Sequence, residues 1–295
     1  MERSVKSQEL CWCWLAKVTR HSLIFLLSAV LLSESVGATQ RNQRLQIAQQ
    51  PENAQQNATR AAAEKLTQEG LKLFRQGTAE SLRQARDKWL EALKLWQQVD
   101  DKKQQAFTLL GIGRVYDLLG EKQEALKYYN QALPLYRAVG DRGGEAATLN
   151  NIGSVYADLG EKQEAVKYYS QALPLYRAVG DRRGEATTLN GIGLVYSELG
   201  EKQEALKYYN QALPLDRAVG DRRGEATTLN NIGSVYSDLG KKQEALKYYN
   251  QALPLRRAVG DRGGEATTLN NIGIVYADLG EKQEALKYYN QALPL

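Results

Sequence analysis

The run Gln-Ala-Leu-Pro-Leu begins at residues 131, 171, 211, 251 and 291, so the chain repeats itself every 40 residues. A period of this length marks stacked supersecondary units, each too small to bury its apolar face alone and dependent on its neighbours for a core. Such a chain grows by addition, and its 295 residues do not count domains in the ordinary way. It offers a long surface where an enzyme offers a cleft, so a binding scaffold is the first expectation.

Each unit reads as two helices. In residues 141–180, Leu149, Ile152, Val155, Tyr156 and Leu159 recur three or four apart, and Gly160 stands where a left-handed residue would end a helix. Ala165, Tyr169, Ala172, Leu173 and Tyr176 repeat that spacing, Gly180 closes the second helix, and Asp181 is placed to cap the next. Gly153, Ala165 and Ala172 are small enough to let helix axes approach, while the Leu, Ile and Tyr side chains fill the gaps. Pro174 and its copies fall inside the second helix, where proline deletes a hydrogen bond. Because Tyr176 and Val179 continue the apolar period, the expectation is a bent helix, not a broken one.

The spacing Leu149, Ile152-Gly153, Tyr156, Gly160, Ala165, Tyr169, Ala172 resembles the tetratricopeptide (TPR) signature, and it recurs from Leu109, Leu189, Leu229 and Leu269. The resemblance implies an all-α fold, a right-handed α-solenoid of antiparallel helix pairs. It divides the chain into units 101–140, 141–180, 181–220, 221–260 and 261–295, the last incomplete. A weaker copy at 59–100, carried by Leu66, Gly70, Leu73, Ala85, Trp89 and Ala92, reads as a divergent capping repeat. The 40-residue unit is similar to the long-repeat branch that includes kinesin light chain and the adaptor LGN. The Ala-Leu-Pro-Leu-Tyr and Gly-Asp-Arg runs resemble those of secreted bacterial proteins in which a TPR array precedes a caspase-like CHAT protease. No residue of such a protease domain is present, which leaves the recruiting or regulatory arm of a truncated protease as an alternative role.

Before the array, Arg3, Lys6, Lys17 and Arg20 precede the apolar run Leu23–Leu32, and Val36-Gly37-Ala38 follows, the pattern of a signal peptide cleaved after Ala38. Ten apolar residues are too few to span a bilayer that needs about 20. The expected mature protein is secreted or periplasmic with no membrane attachment, an uncleaved anchor being the second reading. Residues 39–58 are half Gln and Asn and are expected to form a disordered tether.

Composition narrows the chemistry. Cys11, Cys13 and His21, the chain's only cysteines and histidine, lie in the signal segment. The expected mature chain thus lacks a Cys or His nucleophilic centre, a Cys or His zinc site and any disulfide. No enzyme activity, cofactor or metal is expected. The net charge of +5 could suggest nucleic acid, but residues 111–295 carry 23 basic and 23 acidic side chains and no basic stripe. The expected partner is a protein or peptide, not nucleic acid; self-association through the C-terminal end is a further alternative.

On the first helix, Ala147, Asn150, Ser154, Ala157 and Asp158 fall within about a 100° arc opposite the Leu149 face. In TPR arrays that stripe lines the concave groove. Asn150, Asn190, Asn230 and Asn270 are unchanged and resemble the asparagine ladder with which long-repeat TPR proteins hold a peptide main chain, since an amide offers both donor and acceptor. The columns Arg114, Ser154, Leu194, Ser234, Ile274 and Asp117, Ala157, Ser197, Ser237, Ala277 vary most, as positions choosing ligand side chains would. Copying without divergence and drift on a solvated face explain the same columns equally well. Asp158, Glu198, Asp238 and Asp278 read as a solvated edge, and Tyr pairs such as Tyr168 and Tyr169 as packing between repeats.

Overall fold

The structure, a computed structural model, describes residues 53–294, and contacts divide the chain into two units, 1–61 and 62–295. The expected signal peptide, residues 1–38, and residues 39–52 of the expected tether lie outside the described residues. Residues 53–58, expected to belong to a disordered tether, are helical, which corrects that boundary. Ala54, Gln55, Gln56 and Ala58 favour helix, and the glutamine content that suggested disorder is compatible with either state.

Among the described residues there are twelve helices and no strand. The helix at 53–74 (α1) and α2 (Ala79–Gln98) precede five regular pairs: α3 (Lys102–Leu118) with α4 (Lys122–Ala138), α5 (Arg142–Asp158) with α6 (Lys162–Val179), α7 (Arg182–Glu198) with α8 (Lys202–Ala218), α9 (Arg222–Asp238) with α10 (Lys242–Ala258), and α11 (Arg262–Asp278) with α12 (Lys282–Ala292). The first helix of each regular pair opens on an aspartate. Asp141 Oδ1 accepts from Gly144 N at 2.8 Å, and Asp101, Asp181, Asp221 and Asp261 act alike, supplying a partner to an otherwise orphaned amide. A glycine at positive φ ends it, as at Gly160 (φ 79°), where Glu161 N reaches back to Tyr156 O at 2.9 Å. The tight turn makes the two helices antiparallel neighbours. Pro134, Pro174, Pro214 and Pro254 all sit inside helices that run on past them, as expected.

The core lies between the two helix layers and continues from pair to pair. Gly153 has no Cβ because Tyr169 lies where one would go, its Cδ1 only 2.8 Å from that point, and Gly193 meets Tyr209 in the same way. In the first pair Trp89 takes the tyrosine's place, filling the space beside both Gly70 and Gly111 and donating to Thr67 O at 3.1 Å. Of Tyr168 and Tyr169, expected to pack between repeats, Tyr169 does so, its ring against Gly191, Ile192 and Val195 of the next unit. Tyr168 stacks on Tyr156 of its own repeat with centroids 5.3 Å apart, and four more such pairs line the array. The second helix reaches the next unit through Arg177 Nε to Glu185 at 2.6 Å and Lys242 to Asp278 at 2.5 Å. Asp158, Glu198, Asp238 and Asp278 therefore each pair with a lysine of the preceding repeat, although their outer faces remain exposed.

Candidate binding groove

Successive first helices, α3, α5, α7, α9 and α11, touch one another directly, and successive second helices do not come as close. The first helices accordingly form the inner layer, and the stripe opposite their buried face runs along it as one groove.

Within the groove the expected side chains have different surroundings. Asn150, Asn190 and Asn230 are half-buried and bonded across the repeat boundary. Thr188 Oγ1 donates to Asn150 Oδ1 at 2.9 Å, Thr268 Oγ1 donates to Asn230 Oδ1 at 3.3 Å, and Asn190 Nδ2 donates to Thr228 Oγ1 at 2.7 Å. Asn270 is exposed. A stitch from one repeat to the next is a structural reason for an invariant asparagine. The threonine column, Thr108, Thr148, Thr188, Thr228 and Thr268, is fully buried and was not singled out from sequence. Its signal was present: an unchanged hydroxyl beside Leu149 and its copies, 38 residues after an unchanged amide.

The variable columns divide as well. Burial pushes the hydroxyls of Tyr169 and Tyr249 up to about 12, and the neighbouring Ser154 and Ser234 act in the opposite direction. Asp117 pairs with Lys122 at 2.7 Å, and Lys202 and Lys242 each approach Ser197 and Ser237 at 3.4 Å. Arg114, Leu194 and Ile274 are exposed, the last two at 45% and 48%. Of the expected contact residues these three, with Asn270, have side chains least occupied by the fold.

One end of the groove differs from the rest. Phe107, Leu110 and Arg114 stand where other repeats carry Ala or Thr, Asn, and Ser, Leu or Ile. With Leu71, Phe74, Trp89 and Gly111 they line a pocket of about 120 Å³. Arg114 lies over the Phe74 ring, 5.2 Å from its centroid, and makes no ion pair among the described residues. The buried Tyr129 hydroxyl has no hydrogen-bond partner, so Arg114 supplies it none. Among the described residues no group of His, Cys, Asp and Glu is arranged to hold a metal, and no helix is long and apolar enough to cross a membrane.

Paired antiparallel helices of fixed period, with an inner groove of first-helix side chains, define an α-solenoid repeat protein. The tetratricopeptide-repeat family model matches residues 67–138, 144–218 and 219–295, and the chain belongs to that family. No curated protein matches it. Its fold is similar to BtubC (BKLC) from P. vanneervenii, at 19% identity and TM-score 0.60, covering 78% of this chain and 90% of that one. It is similar also to the apo form of RapI, at 15% identity and TM-score 0.63, with 79% and 96% covered. A third similar structure is NprR in complex with its cognate peptide NprX, at 22% identity and TM-score 0.60, with 89% and 77% covered. At these identities the likeness is one of fold.

Proposed function

We propose that the array is a protein-interaction scaffold whose inner groove binds an extended segment of a partner protein. The observation that carries this reading is the continuous inner stripe on which Arg114, Leu194, Ile274 and Asn270 are exposed with little or no internal partner, while the equivalent Ser154 and Ser234 are half-buried beside Tyr169 and Tyr249. Exposed aliphatic side chains in line on a polar face are what a binding surface needs and a solvated face does not. The pocket around Phe74 and Leu110 accepts an apolar side chain, Arg114 an acceptor at its rim, and asparagine amides the segment's main chain. NprR, of the same fold, has been solved with a peptide, which makes peptide capture a reasonable use of this groove. With residues 1–38 read as a signal peptide, the partner is met outside the cytoplasm.

The test is capture from the native extracellular or periplasmic fraction by the full chain, beside L194S/I274S and a variant with Asn150, Asn190, Asn230 and Asn270 all changed to Ala. Loss of the same protein from both variants, each still helical, supports the groove. Equal capture by all three chains removes it.

A further inference from the structure

Near the end of each second helix one column departs from the repeat. Tyr136 and Tyr176 are buried there, their rings in the space left by Gly144 and Gly184. The next two repeats carry Asp216 and Arg256, also buried, and keep the glycines, Gly224 and Gly264. Arg256 is paired with Asp261 and donates to Thr227 Oγ1 at 2.9 Å. Asp216 has no such cation bonded to it. Its Oδ2 accepts from Thr228 Oγ1 at 2.7 Å.

That bond has a consequence in the groove. An ionised carboxylate only accepts, and of the two acceptors facing Thr228 Oγ1, Asp216 Oδ2 at 2.7 Å and Gly224 O at 3.1 Å, the charged and nearer one takes its single proton. In the flanking units no carboxylate competes: the single Thr188 proton is shared between Gly184 O at 2.8 Å and Asn150 Oδ1 at 2.9 Å, and that of Thr268 between Gly264 O at 2.9 Å and Asn230 Oδ1 at 3.3 Å. Thr228 instead accepts, and Asn190 is turned the other way, its Nδ2 spent on Thr228 Oγ1 at 2.7 Å and Ala186 O at 3.2 Å. The Asn190 Oδ1 is left covered and without a partner. Asn150 and Asn230, by contrast, engage their oxygens and make no Nδ2 bond within the described residues.

We propose that Asp216 is a specificity-determining residue of the groove: by taking the Thr228 proton it holds the Asn190 amide reversed, withdrawing it from the main chain of a bound segment, and protonation of Asp216 returns Asn190 to the orientation of Asn150 and Asn230. A protonated Asp216 donates to Thr228 Oγ1, which frees the threonine proton for Asn190 Oδ1 and releases the NH₂ group from Thr228 Oγ1 and Ala186 O. The change is within reach of ordinary conditions. Burial, with Asp221 and Glu225 on the α9 side, pushes the Asp216 carboxyl up to about 6, while the Thr228 bond and Arg183 on α7 act in the opposite direction. The inference rests on the groove reading above for its functional meaning, and on this hydrogen-bond chain for its mechanism.

The side-chain NH₂ resonances of Asn190 and Asn150 in the ¹⁵N-labelled full chain, assigned by their loss in N190Q and N150Q, report the amide directly between pH 7.5 and 5. In the wild type the Asn190 pair should move through one inflection near pH 6 toward the position of Asn150, which stays put. D216N, whose amide can donate to Thr228, should remove the inflection. D216Y restores the tyrosine for which Gly224 keeps space, and should give Asn190 the Asn150 position at every pH. A segment captured by the groove should bind about threefold more tightly at pH 5.5 than at 7.5, with no difference in D216Y. A flat Asn190 titration in the wild type, or an inflection that survives D216N, overturns the switch. If Asn190 titrates as described but the four-asparagine variant captures the partner normally, the hydrogen-bond switch stands and the groove reading falls.

Discussion

A buried carboxylate is the residue whose energetics are easiest to test. Asp216 replaces an aromatic ring and is 3% exposed, and burial leads the forces that raise its carboxyl to about 6. A folded-state value above the unfolded one means the native state holds the proton more tightly, so the contribution to stability is fully present below about pH 4 and is lost as pH rises through about 6. D216N, uncharged at every pH, should therefore be more stable than the wild type by about 2 kcal/mol at pH 7.5, the gain shrinking below pH 5. Urea melts at pH 7.5, 6 and 4.5 check this, and an equal gain at all three would mean the effect is packing. None of it was legible in the sequence. Asp216 stands out there as a departure from the tyrosine of the earlier units, but a one-letter change does not say that it bonds Thr228 on α9, which in turn is bonded by Asn190 on α7. The Asn150 column was legible as important and its bonding was not, because a partner 38 residues away is set by how repeats stack.

At the scale of a helix, punctuation decided what could be read. Aspartate before each first helix and glycine after it fixed the limits of α3, α5, α7, α9 and α11, and those signals act locally. The second helices begin on Glu or Lys with no side-chain cap bond, so there apolar spacing alone marks the start. The contrast predicts different sensitivities. D181A removes the Oδ1 that accepts from Gly184 N at 3.0 Å and should cost about 1 kcal/mol. E201A, at a start where no cap bond exists, should cost less than about 0.5 kcal/mol. Paired urea melts at one pH settle it, and equal losses would show that charge near the helix end matters more than the cap bond. The helical stretch at 53–58 is not legible from composition, because Gln and Ala sustain a helix when neighbouring residues already form one.

For the whole molecule, near-identity of the units made the architecture legible and the groove only partly so. Period, Gly–Tyr contacts and helix pairing are the same in every unit, so one unit predicts the array. What individual groove positions do depends on exceptions, such as Arg114 supplying no partner to Tyr129, which repetition conceals. Stacking itself can be measured with one repeated leucine. Leu126, Leu206 and Leu246 are each 7% exposed, whereas Leu286, the same position in α12, is 53% exposed. In an array whose stability is a sum of unit and interface terms, the same truncation should cost different amounts according to how much neighbouring surface covers it. L246A should cost about 2 to 4 kcal/mol, because it opens a cavity between α10 and the helices around it. L286A should cost less than about 1 kcal/mol, since most of its side chain already meets solvent. Hydrogen exchange locates the loss as well as sizing it: in L246A protection should fall in α9 through α12, while in L286A it should fall in α12 alone. Equal losses spread over every helix in both variants would mean that the array unfolds as one cooperative block, and the nearest-neighbour description would have to be given up.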